Sequence, residues 1–171
     1  MLTSSADFQA SILGAWATAN RITILLVENL SPEALALSIP GAPRRTIRMV
    51  AGHMHNARCT WLKTLGHPFG IAVPRSVDRH RATGDQLVKA LRASGTSIGE
   101  LLELGCDRGG HIPATAAYTW RNLPLDVGHV LGYFIAHEGH HRGQIVLAAR
   151  AHGERLPTDV VNGLWQWRVN E

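Results

Sequence analysis

Two histidines, His137 and His141, stand four residues apart in the most regular apolar stretch of the chain, VGHVLGYFIAHEGHHRGQIVLA from Val127 to Ala148. Val127, Val130, Phe134, Ile145 and Ala148 recur at three-and-four spacing, and the two imidazoles fall where that stripe continues. Helix positions i and i+4 send their side chains the same way with Cβ atoms about 6 Å apart, which suits two ligands of one divalent metal. Gln144 lies on the same face. With ten histidines in the chain, the spacing alone is a weak signal. Position in the stripe says more. A buried imidazole without a partner costs on the order of 1–3 kcal/mol, so this pair needs either separate hydrogen bonds or one shared cation. At this point both remain open.

Around the pair, Tyr133 is one turn before His137 and is a candidate weak acid, with core packing as the plainer role. Gln144 is a candidate hydrogen-bonding group beside a metal, or a packing residue. Glu138 and His140 lie about 100° and 60° round the helix, placed either to support a ligand or to face solvent. Arg142 is expected to pair with an acid across the fold. Gly143, in mid-helix, suggests the close approach of another group. His129 falls at the edge of the stripe.

The elements that would position these residues read as helices. A first helix is expected from Ala6 to Leu30, with Phe8, Ile12, Ala15, Ala19, Ile22 and Leu26 inward. Ser31-Pro32-Glu33 has the form of a cap and first turn, and Pro40-Gly41-Ala42-Pro43 ends that short piece. A second long helix is expected from near Arg44 to the stop at Gly66-His67-Pro68, with Ile47, Val50, Ala51, Met54, Trp61 and Leu65 on one face. His53 and His55 flank that face about 200° apart, so they cannot share one site, and periodicity does not choose between them. Cys59, on the His55 side, reads as a single buried thiol. Residues 66–82 form a connector placed to cover one end of the fold.

Thr83-Gly84-Asp85-Gln86 has the form of a capping box opening a third helix. Leu87, Leu91, Ser94, Ile98 and Leu101 point inward there, and Ser94-Gly95-Thr96 is expected to interrupt it. A loop from Gly105 to Leu123, holding Cys106, His111, Tyr118 and Trp120, precedes the fourth helix, expected from near Pro124. In the tail, Trp165 and Trp167 would share one face of an extended segment, against the core or a second copy. No strand pattern stands out. The reading is all-α: one domain over residues 1–171, a four-helix bundle with long crossover connections.

Composition agrees. Hydrophobic residues at 45% and charged residues at 18% are those of a globular chain, and no apolar run is read as approaching the roughly 20 residues of a membrane span. The opening MLTSSADFQA does not resemble a signal peptide, and with only Cys59 and Cys106 a cytoplasmic location is expected. The formal charge of +4 comes mainly from dispersed arginines. Arg44-Arg45-x-x-Arg48 reads as a solvated basic face at a helix start, and no nucleic-acid partner is expected.

The segment His137-Glu138-Gly139-His140-His141-Arg142-Gly143-Gln144 resembles the DinB-like family, the damage-inducible or YfiT-like bundles, in which His-x-x-x-His-Arg-Gly-Gln closes the last core helix. GHMHNARCTWLKTLG resembles the family's second helix, where the metal-binding histidine precedes a tryptophan by eight residues. That places a third ligand at His53 and leaves His55 outside. Gly163-Leu164-Trp165-Gln166-Trp167 looks like one bacterial subgroup, so the resemblance spans nearly the whole chain. It implies a four-helix bundle with a divalent metal, zinc or nickel, on His53, His137 and His141, and commonly a homodimer. Some related bundles are thiol transferases acting with low-molecular-weight thiols, and others are linked to hydrolysis. Three imidazoles leave a coordination position open, the layout of a catalytic site. The expectation is therefore a metal-dependent enzyme, thiol transfer ahead of hydrolysis, against a rival reading as a non-catalytic metal-binding dimeric bundle.

Overall fold

A computed structural model describes residues 5–119 and 121–168. Helix α1 spans Ser5–Glu28 and is followed by the single turn α2, Pro32–Ala36. Ser31 caps α2 as expected, its hydroxyl accepting from the Ala34 amide at 3.0 Å. The chain then departs from the all-helical reading. Ser38–Ile39 (β1) and Ala42–Thr46 (β2) pair as a small antiparallel hairpin. Its turn is Ile39-Pro40-Gly41-Ala42, with proline second and Gly41 third at φ 76°, the arrangement of a type II turn. Pro40 and Pro43 also bias the residues before them toward extended backbone. Arg44 and Arg45 therefore lie on β2, not on a helix.

Helix α3 runs Ile47–Trp61, opened by Thr46, whose hydroxyl accepts from the Met49 amide. It passes without a break through a wider turn, Leu62–Gly66, and a tight one, His67–Phe69. The connector doubles back along it, and Asn56 holds Val77 by both backbone groups, at 2.9 and 3.0 Å. The capping box is present, with Thr83 and Gln86 satisfying each other's backbone amides.

Helix α4, Gly84–Asp107, is uninterrupted at Ser94-Gly95-Thr96. A Cβ on Gly95 would come within 2.4 Å of the Asn20 side chain, and Trp16 Nε1 donates to the Gly95 carbonyl at 2.8 Å. The glycine marks the close approach of α1 and α4. Helix α5 spans Val127–Ala151 with Asp126 as its cap, and α6 spans Thr158–Gly163. Past α6 the tail turns, so Trp165 and Trp167 do not share a strand face. They are 80% and 46% exposed. Phe8, expected inside, is 45% exposed near the start of α1. Trp120 lies outside the described residues.

One further correction concerns α1. Ala6–Glu28 is long and apolar enough to cross a membrane, with mean hydropathy 1.4, and half of that window is buried inside the bundle. Its buried side packs on α4 and α5, as a core helix does.

The four long helices enclose two apolar clusters. Leu26, Val27, Ile47, Met54, Leu87, Leu91 and Ile145 belong to one, and Ile12, Trp16, Trp61, Leu65, Ile98, Leu101 and Phe134 to the other. On each of the four long helices a polar residue separates the two sets: Thr23 on α1, Arg58 on α3, Ser94 on α4 and Glu138 on α5. Arg58 and Glu138 are each 1% exposed and meet side-on, with Nε to Oε1 at 2.6 Å and Nη2 to Oε2 at 2.8 Å. Arg58 Nη1 also donates to Asn20 Oδ1 and the Leu91 carbonyl, while Thr23 donates to Glu138 at 2.9 Å. Trp16 lies under the guanidinium, 4.9 Å from ring centre to Cζ.

Removing one member of such a pair strands the other charge in the core, at a cost of about 3–5 kcal/mol, whereas replacing both with apolar groups is close to neutral. Arg58→Ala is therefore expected to lower metal-free stability by several kcal/mol in urea unfolding, and Arg58→Met with Glu138→Leu to recover most of the loss. Equal destabilisation in both variants would contradict the layer described here.

Candidate metal centre

At the level of the polar layer, α3 brings His53 against His137 and His141 of α5. The His137 Nε2 is 3.3 Å from the His53 Nε2 and 3.2 Å from the His141 Nε2, and the three ligand nitrogens all lie within 4.8 Å of one another. Tetrahedral coordination with metal–nitrogen bonds of about 2.0–2.1 Å needs nitrogens about 3.3–3.4 Å apart. The donor set fits a divalent ion in kind, and two of the three nitrogen separations match that spacing.

The protons are placed to match. His141 Nδ1 donates to Gln144 Oε1 at 2.9 Å, which holds the proton on Nδ1 and leaves the Nε2 lone pair directed at the other two rings. Gln144, weighed from sequence as a candidate catalytic group, is the residue that sets the tautomer of His141. Burial, foremost, lowers the pKa of all three imidazoles and takes His141 to about 4, while Arg45 and Arg79 add their charge against protonation of His53. Neutral imidazole is the form that binds metal. Tyr133 stacks on His137 with ring centres 5.7 Å apart and meets Trp61 edge-on at 5.2 Å, so it both packs and lines the site.

His55 is on the opposite side of α3, outside the group of three, and both of its ring nitrogens are engaged elsewhere. Nε2 donates to the Arg75 carbonyl and Nδ1 accepts from the Ser94 hydroxyl, each at 3.0 Å, with the Cys59 sulfur 3.3 Å from Nε2. Burial raises the Cys59 pKa, so the thiol is held protonated. His129 is exposed and pairs with the cap residue Asp126. His140 is exposed too, its ring edge-on to His141 at 5.0 Å. Among the described residues Arg142 forms no ion pair across the bundle; Nη1 donates to Thr23 Oγ1 at 2.8 Å, and Thr23 in turn donates to Glu138. Around Gly143 nothing lies within 4 Å of where a Cβ would be, so the expected close approach is absent.

Sequence reasoning passed over Arg58 altogether. Its signal was available: a lone arginine interrupting an otherwise apolar helix face needs a buried acid, and Glu138 is the acid beside the histidines. His137-Glu138-x-x-His141 also spells the metalloprotease pattern in which the glutamate is a general base. Here Glu138 points into the bundle, away from any opening.

The triad stands where two hollows meet. One, about 300 Å³, is lined by His53 and His137 with Trp61, Tyr118 and Tyr133. The other, about 890 Å³, is lined by His53 and His141 with Met49, Arg44, Arg45 and Arg79. Further hollows beside Arg48 and Thr83, and beside Arg150 and Leu156, include none of the three histidines.

His53→Ala is expected to lose the metal and His55→Ala to keep it, the latter losing on the order of 1–3 kcal/mol of stability because the Arg75 carbonyl loses its donor and Ser94 keeps only its longer bonds to Leu91 and Arg58. Elemental analysis of the two variants checks this, and equal retention would sink the assignment. The pH dependence follows from the lowered pKa of His141. Between 6.5 and about 4 the unfolded chain binds a proton that the metal-free fold does not, so stability falls as pH falls through that window. Denaturant melts in chelator should show this slope, and His141→Gln should flatten it.

A family model described as DinB family matches residues 1–168. No curated protein and no solved structure matches the chain. With nearly its full length under that model, a helical bundle architecture, and histidines converging from its second and fourth long helices, the chain belongs to the DinB family.

Proposed function

We propose that this protein is a divalent-metal-dependent enzyme that transfers a low-molecular-weight thiol to a small, partly apolar electrophile. The observation that carries the reading is the nitrogen triangle opening onto the aromatic hollow, since a structural site would be closed by a fourth protein ligand. Zinc or nickel on His53, His137 and His141 would supply Lewis acidity, lowering the pKa of a bound thiol or water.

The chain's own residues do the rest. Gln144 keeps His141 in the ligating tautomer, Trp61 and Tyr133 wall the smaller hollow, and Tyr118 closes over it, its hydroxyl donating to the Leu123 carbonyl at 2.6 Å. Thiol transfer is preferred to hydrolysis because among the described residues no carboxylate lines either hollow and Glu138 is locked to Arg58. A hydrolase of this layout would want that carboxylate free to activate water. Tyr133, stacked on His137 in the wall of the smaller hollow, would hand a proton to a leaving group there, while the Tyr118 hydroxyl is engaged with Leu123. The proposal includes a homodimer, with exposed Trp165 and Trp167 as apolar surface for it to cover.

The test is a screen of small thiols against an alkylating acceptor such as monobromobimane, with chelated, zinc-reloaded and nickel-reloaded protein. Turnover should vanish on chelation and return with one metal, and with an epoxide acceptor, whose opening leaves an alkoxide to be protonated, Tyr133→Phe should lower kcat by about 10²-fold while sparing metal content. Turnover of ester or amide substrates without thiol would overturn the transferase reading.

A further inference from the structure

The larger hollow has a character the metal alone does not explain. Arg45 on β2 and Arg79 in the connector line it beside His53 and His141, and Arg44 shares the wall. Three arginines that reach into or across the bundle have partners: Arg58 holds Glu138, Arg92 holds Glu28, and Arg142 donates to Thr23. Among the described residues none of the three guanidiniums in the hollow forms an ion pair, and no acid lines it.

Their placement is built into the fold. Gly52, the residue before His53, is buried, and a Cβ there would come within 3.0 Å of Arg79 Cγ and 3.4 Å of Arg79 Cα. The connector backbone thus lies against α3 one residue from a ligand, and Asn56 fixes it there through Val77. The hairpin turn at Gly41 sets β2, and Arg45 with it, on the opposite wall.

We propose that this hollow seats a compact oxyanion, a carboxylate or a phosphate, carried by a small-molecule reactant whose other end lies against the histidine triad. The inference rests on the metal-site reading above and adds the chemical class of one reactant. Guanidinium forks match such oxyanions by paired hydrogen bonds, and a volume of about 890 Å³ is that of a small-molecule site. The three arginines line one cavity beside the histidines, which favours a small ligand over a nucleic-acid backbone.

The experiment is calorimetric titration of zinc-loaded protein at low salt with 3-mercaptopropionate, 2-mercaptoethylphosphonate and the uncharged 2-mercaptoethanol. At least one charged thiol should bind about tenfold or more tighter than the neutral one, and Arg45→Gln with Arg79→Gln should erase that advantage. The carboxylate and phosphonate arms tell which oxyanion the hollow prefers. Both positions are away from the core, and Arg79→Gln alone serves if the double variant melts early. Equal affinity for all three thiols, or an advantage that survives in the variants, overturns the proposal. So does binding of a dT10 oligonucleotide that the variants lose while the thiols show no charge preference.

A protein that takes up no metal would sink the reading under Proposed function instead. The hollow is then judged by titrating succinate and inorganic phosphate into metal-free protein. Binding in wild type alone supports it, and none, or equal binding in the variants, overturns it.

Discussion

The Arg58–Glu138 ion pair is the constraint on which the rest of the bundle depends. Two charges with 1% exposure can be tolerated only where the geometry is close and the remaining hydrogen-bonding capacity is used, and here Asn20, Thr23 and the Leu91 carbonyl use it. One alignment of α1, α3, α4 and α5 meets that condition. A slip of α3 against α5 would leave both charges unpaired, whereas the apolar clusters above and below would tolerate small shifts. Since His53 is on the same helix as Arg58, and His137 is next to Glu138, the pair that fixes the register also fixes the nitrogen triangle.

That coupling gives the site its character. The glutamate in the His-Glu-x-x-His segment is spent on architecture and is lost to the water-activating role its spelling suggests. What is left facing the openings is three neutral imidazoles, a phenol, aromatic walls on one side and arginines on the other. Those groups are suited to binding and orienting reactants and to holding protons, and none of them is a carboxylate base. A metal added to such a set finds ligands already desolvated and deprotonated, which is why burial and not a single charged neighbour dominates the lowered imidazole pKa values.

Much of this was legible in the chain. The inward face of α3, the stripe of α5, the capping box at Thr83 and the cap at Ser31 all follow from local chemistry and are present. Periodicity placed His53 and His55 on opposite flanks but could not rank them. The ranking depends on Ser94 and Arg75, which are 39 and 20 residues from His55. The hairpin was missed because its strands are two and five residues long, too short for alternation to show, although Pro40-Gly41 carried its turn. Gly95 was read as a weak point because its entropy is local, and the contact with Asn20 that requires it is not. Arg58 escaped notice since an arginine is ordinarily a surface residue, and only its position between Met54 and Trp61 betrayed it.

The central claim is that the three histidines make an open metal site, and X-ray absorption at the zinc edge of untagged, reloaded protein tests it most directly. The account predicts one zinc per chain with a shell of three imidazole nitrogens at about 2.0–2.1 Å and one or more light atoms from non-protein ligands. A sulfur shell at about 2.3 Å, which would implicate Cys59 and His55, or the absence of imidazole scattering, would contradict it.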